Sequence, residues 1–129
     1  MKTFHRWMAL GTVLAVALLF TAPGAKAADM AWPMVNNTQF KVAFQFYSRS
    51  RSAVWPGGGQ VWYMWPGQRY TPVLRCSPGE YICYGAWVEG NRSINWGVGP
   101  GGNLGCSSCC YTCTQGNVSG HSLVYTPQR

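Results

Sequence analysis

The chain places four cysteines within eight residues, C-S-S-C-C-Y-T-C, at Cys106, Cys109, Cys110 and Cys113, with Cys76 and Cys83 upstream. No other feature narrows the possible folds as far, because six sulfurs either close covalent loops or converge on a soft metal ion. Cys109 and Cys110 are neighbours, and a bond between them would close a strained eight-membered ring, so their partners are expected elsewhere. The C-x6-C spacing around Ser77-Pro78-Gly79-Glu80 makes Cys76 and Cys83 candidate cross-strand partners, although spacing alone does not choose among the connectivities. The alternative is metal handling: each C-x2-C half resembles a zinc knuckle, four thiolates suit zinc or copper(I), and Met30, Met34 and Met64 would add copper(I) ligands. Yet the two halves abut, leaving no loop to bring the second pair around an ion held by the first. Disulfides are the expected state of all six, with no metal or other cofactor. A redox-active dithiol is not expected, since no helix is evident whose N-terminus would lower a thiol pKa.

Residues 1–27 supply the oxidising context that this expectation needs. Lys2 and Arg6 precede an apolar run of 13 residues, 8–20, and Ala25-Lys26-Ala27 offers a small-x-small cleavage site. This is the pattern of a secretory signal peptide cut after Ala27. The run is shorter than the roughly 17 to 20 residues of a membrane-spanning helix, and no cysteine follows the cut to carry a lipid. The expected product is soluble, periplasmic or extracellular, and a single domain of 102 residues, 28–129. In that compartment an even cysteine count reads as a disulfide framework. A domain so small has a thin core, and each bridge is worth about 2–4 kcal/mol.

The remaining chain reads as strands and turns. After a linker-like start, 28–38, the run F-K-V-A-F-Q-F-Y alternates, with Phe40, Val42, Phe44 and Phe46 on one face. A polar S-R-S-R-S turn and a V-W-P-G-G-G-Q loop lead to a second strand, Q-V-W-Y-M-W, closed by Pro66-Gly67. Pro72 suits a strand edge, and Pro78-Gly79 fits the centre of a type II turn. Residues 81–90 form another strong strand, with Ile82, Tyr84, Ala86 and Val88 on one face and Tyr81, Cys83, Gly85 and Trp87 on the other. Glycine-rich loop then surrounds a short strand at 94–96, and H-S-L-V-Y-T returns as a last strand. No helical periodicity follows the signal. The expected class is all-β, a disulfide-stapled sandwich or jelly roll of about seven short strands. The two W-P-G triplets, at Trp55 and Trp65, are expected to be two similar turns.

Charge and acids limit the function classes. Loss of Lys2, Arg6 and Lys26 with the signal takes the formal net charge from +7 to +4, a modest bias toward anionic surfaces. An exported chain is not expected to bind nucleic acid. Only Asp29, Glu80, Glu89 and His121 remain as acids and histidine. Asp29 falls in the linker-like start and the two glutamates flank one strand, so the common hydrolytic constellations lack players and no catalytic residue is expected. Aromatics are plentiful by contrast: 16 rings in 102 residues. Most should build the core, but V-W-Y-M-W carries rings on both faces of one strand, so some must face out. Trp55, Trp62, Tyr63, Trp65 and Trp96, with Arg69 and Arg92 beside them, are the candidate ligand-binding residues. Exposed rings of this kind stack sugars or enter lipid interfaces.

With I-C-Y-G-A-W, N-W-G-V-G and C-x2-C-C-x2-C, residues 35–113 resemble small exported bacterial proteins of uncharacterised function. The resemblance implies no activity. The N-N-T start and W-P-G also resemble thaumatin-type sandwiches, whose dense disulfides and acidic cleft are missing here. The expectation is an exported, non-catalytic binding or structural module engaging envelope glycan or another extracellular surface through an aromatic, mildly basic face.

Overall fold

The computed structural model describes residues 26–118 and 120–125, so the expected signal peptide lies almost wholly outside the described residues. In chain order the strands are β1 (Ala28–Ala31), β2 (Met34–Asn36), β3 (Val42–Ser48), β4 (Val54–Trp55), β5 (Trp62–Met64) and β6 (Arg69–Tyr70). Then come β7 (Val73–Cys76), β8 (Tyr81–Val88), β9 (Asn91–Gly97), β10 (Cys110–Thr112), β11 (Gly116–Asn117) and β12 (His121–Leu123). A single 3-10 turn, Pro100–Gly102, is the only helical element among the described residues. The class is all-β, as expected.

The strands are more numerous than expected because prolines and glycines divide them. β3 and β8 pair antiparallel along their length at the centre of a six-stranded sheet, flanked by β4 and β5 on the β3 side and by β9 and β10 on the β8 side. Facing it are two three-stranded sheets, β11-β1-β7 and β12-β2-β6. Pro33 separates β1 from β2 and Pro72 separates β6 from β7; neither has an N–H to continue a ladder. The break is bridged by Trp32 N–H donating to the Pro72 carbonyl and His121 N–H donating to the Pro33 carbonyl.

Residues 28–38 are therefore not a linker, and this corrects the sequence reading. Met30, Trp32 and Met34 alternate into the core and are fully or almost fully buried. The proline obscured a period-two pattern that the tertiary pairing keeps. The core joins Met30, Trp32, Met34, Leu74 and Leu123 to Val42, Phe44, Phe46, Met64, Ile82 and Ala86 of the large sheet. Trp32 meets Phe46 with ring centroids 4.8 Å apart. The three methionines weighed as metal donors, Met30, Met34 and Met64, are packing residues here.

Asn36 is the polar pin of this core. It is fully buried; its Nδ2 donates to the Phe40 and Met64 carbonyls, and its Oδ1 accepts from Thr38 N–H and Thr38 Oγ1. Such complete pairing is what makes a buried amide tolerable, and it ties the β2 end to the β5 end beside Trp65. The Ser77–Glu80 turn forms as expected, with Glu80 N–H donating to the Ser77 carbonyl at 2.9 Å and Gly79 at φ 86.

Candidate functional site

The register of the large sheet sorts its side chains into inward and outward rows. One inward row runs Trp62, Phe44, Ala86, Trp96 across β5, β3, β8 and β9; the next, outward row runs Tyr63, Ala43, Trp87, Asn95. Small Ala43 thus lies between two aromatic residues, whose strands are two sheet spacings, or about 10 Å, apart. The result is a groove of about 480 Å³ lined by Ala43, Gly59, Val61, Tyr63, Trp87, Glu89, Gly90 and Arg92. Gln45 on the same face donates from Nε2 to the Gln60 carbonyl at 2.7 Å, holding the β4–β5 loop against the sheet.

Cations decorate the rings. Lys41 Nζ stands 4.5 Å from the Tyr63 ring centroid and 4.7 Å from that of Trp65, and forms a 2.9 Å ion pair with Glu89. The Arg92 guanidinium lies 5.4 Å from the Trp87 centroid, within cation–π range. Its backbone is steadied by Asn95 Nδ2 donating to the Arg92 carbonyl at 3.0 Å. Trp65 is 62 % exposed and Tyr63 44 %, whereas Trp87 is only 6 % exposed and forms a wall of the groove.

The seven expected ligand residues do not form one face. Tyr63, Trp65 and Arg92 stand on the outer side of the large sheet, at or beside the groove. Trp62 and Trp96 turn inward: Trp62 stacks on Phe44 at 5.7 Å, and Trp96 packs on the core with its Nε1 donating to the Val124 carbonyl. Trp55 also packs on the core and donates from Nε1 to the Arg75 carbonyl, beside a second, more open groove. Arg69 is exposed in β6 on the opposite layer. Sequence reasoning missed Trp87, Ala43, Lys41 and Glu89. Alternation in β8 put Trp87 opposite the Ile82 face, but only the β5–β3–β8 pairing brings it level with Tyr63.

The other end of the same outer face is closed. Gly85 has no Cβ, and one there would run into the Gly99 carbonyl, so the 97–105 loop lies directly on the strand. Val98 is buried against Tyr47, Cys83 and Cys109. Tyr47 Oη donates to Gln45 Oε1 and accepts from Gly101 N–H. Three disulfides are formed, Cys76–Cys113, Cys83–Cys110 and Cys106–Cys109, and no cysteine is free. Cys76 and Cys83 are not partners: each bonds to the tail cluster instead, because Cys83 points to the outer face, opposite Cys110 of β10, while Cys76 is part of the main core. Cys83, Cys109 and Cys110 bring their sulfurs within 4.8 Å of one another, yet as bonded sulfurs they are not thiolate ligands.

The acids are separated. Glu80 is buried at the start of β8, accepting from Arg51 Nε at 2.7 Å, Arg51 Nη2 at 3.1 Å, Ser48 Oγ at 2.7 Å and Ser77 N–H at 3.1 Å. Burial pushes its carboxyl up, but those hydrogen bonds and the Arg51 charge outweigh it and hold it below the usual glutamate range. Glu89 lies beyond the other end of β8, with Lys41. Asp29 is in β1, not a tail, its N–H donating to Gln115 Oε1. His121 stacks on Trp32 at 5.4 Å beside Tyr84 and Tyr111, and burial pushes its pKa down. Nε2 of His121 and Nε1 of Trp32 are buried without a hydrogen-bond partner. No family model, curated protein or solved structure matches this chain.

Proposed function

We propose that the chain is an exported, non-catalytic binding module that holds a saccharide of the cell envelope or another extracellular surface in the Tyr63–Ala43–Trp87 groove. The observation that carries this reading is the outward row: exposed Tyr63 and largely buried Trp87 stand on either side of Ala43, which is the floor of the groove, with charged groups at the rim. A pyranose has apolar C–H faces and a polar equator. Aromatic walls match the faces, and Lys41, Glu89 and Arg92 match the equator. A lipid interface would favour a broader, less charged patch. Export is supported by three disulfides and by β1 beginning at Ala28, the first residue after the expected cut.

The test is binding of the disulfide-intact protein, residues 28–129, to immobilised envelope polysaccharides and a glycan array. Tyr63→Ala should abolish retention, Trp65→Ala should weaken it, and Trp55→Phe, on the other side of the sheet, should leave it unchanged. Retention by none of the glycans, or equal retention by Tyr63→Ala, would remove the proposal. Secretion by a bacterial host with a mature N-terminus at Ala28 tests the export half.

A further inference from the structure

The groove is electrically incomplete. Lys41 and Glu89 neutralise one another at 2.9 Å, whereas Arg92, also on the groove wall, has no ion-pair partner among the described residues. Its position is nonetheless restricted. Trp87 supports the guanidinium at 5.4 Å, Asn95 holds its carbonyl, and Asn91 Oδ1 accepts from Ser93 N–H on the next residue. A guanidinium supported by an aromatic ring keeps its N–H edge available, and that edge offers a planar fork suited to two oxygens of one anion. An arginine so held beside a ring-lined groove presents that edge to an anionic group.

Resting on the saccharide reading above, we infer that the groove selects an acidic sugar, a pyranose bearing a single carboxylate such as a uronic acid, with that carboxylate on Arg92. The charge count favours one negative group, since one cation is uncompensated. The carboxylate matches it in charge, in planarity and in the spacing of its two oxygens. The sugar ring over Ala43 and the carboxylate at Arg92 are joined on the ligand as their partners are linked through Trp87, the register partner of Ala43 and the ring beneath Arg92. Lys41, engaged by Glu89 and by the Tyr63 and Trp65 rings, is left as a support for those rings rather than the anion's partner.

Calorimetric titration of the disulfide-intact protein with an oligogalacturonate, with its methyl ester and with a sulfated neutral oligosaccharide decides the matter. The uronate should bind at least about tenfold more tightly than the ester, the step expected of a charge-assisted pair. Arg92→Gln should cost the uronate most of that advantage and cost the ester far less, and Arg92→Lys should fall between. Equal affinity for uronate and ester would overturn the acidic-sugar assignment alone, as would tighter binding of the sulfated sugar. Equal losses for both ligands in Arg92→Gln would also overturn it, showing Arg92 to be only a prop for Trp87. Binding of none of the three ligands, with none retained on the glycan array, would overturn the saccharide reading beneath it.

Discussion

The outer face of the six-stranded sheet has two ends built from the same strands with opposite results. At one end, Gly85, Tyr47 and Cys83 lie under the 97–105 loop, with Val98 and Cys109 packed on them. At the other, Ala43 lies between Tyr63 and Trp87 at the floor of a groove. Both ends have a small residue on a central strand. At Gly85 the missing side chain admits backbone, and the space is filled; at Ala43 the neighbours are wide-set rings, and the space stays open. The same contrast runs through the acids flanking β8: Glu80 is buried and fully hydrogen-bonded, Glu89 is exposed in a simple ion pair. A small residue leaves room, and its neighbours decide whether that room is packing or site.

The contrast predicts that damage to stability concentrates at the closed end and damage to binding at the open one. The largest effect should come from removing the Cys83–Cys110 bridge by a double serine substitution. The bridge closes a loop with a sequence separation of 27, and its loss should cost about 3–4 kcal/mol in urea unfolding. Gly85→Ala comes next: its Cβ meets the Gly99 carbonyl, and overpacking of this kind costs about 1–3 kcal/mol. If it proves neutral, the loop is not seated on the strand and the contrast fails.

Glu80→Ala should cost about 1–3 kcal/mol, because Ser77 N–H and Ser48 lose their acceptor. Glu89→Gln, removing an exposed pair, should cost less than about 1 kcal/mol. The Glu80 carboxyl sits below its unfolded value in the folded chain. The stability it contributes is therefore complete above the unfolded pKa of about 4.3 and lost as pH falls through the folded value. Unfolding midpoints taken over roughly pH 6 to 2, on both sides of that unfolded pKa, should show this acid slope shrinking in Glu80→Gln.

His121 gives a separate window. Its folded pKa is depressed by burial, so the unfolded chain takes the proton first, and stability declines as pH falls below about 6.5 until the folded value is passed. His121→Phe preserves a ring on Trp32 and should flatten that decline; an unchanged slope would place its origin elsewhere. The smallest stability effect belongs to Tyr63→Ala, within about 0.5 kcal/mol as for other exposed positions, though it should lose glycan retention altogether.

Much of this fold is legible locally. Alternation in β3 separates Val42, Phe44 and Phe46 from Ala43 and Gln45, and the first three enter the core as expected, although Ala43 and Tyr47 on the other face are buried as well. Ser77-Pro78-Gly79-Glu80 makes its turn where turn chemistry puts it. Two kinds of feature escaped. Pro33 disguised β1 and β2 as linker, since a short strand beside a proline owes its existence to partners far away: β1 to β7 and β11, β2 to β6 and β12. The disulfide pairing escaped for the same reason. The turn brings Cys76 and Cys83 close in sequence, but the sheet pairings hand one to the main core and the other to the outer face.

The site was half legible. Aromatic abundance and the V-W-Y-M-W run identify ring-bearing strands, and Tyr63, Trp65 and Arg92 were among the residues singled out. Sequence by itself determined the class, the strand faces and the need for covalent closure, because those depend on residue type and on neighbours two or three positions away. Only the tertiary structure decided that Tyr63, Ala43 and Trp87 share a row and that Trp62 and Trp96 belong to the core. Register between strands is a relation between distant residues, and a shift of one position would have exchanged core and groove.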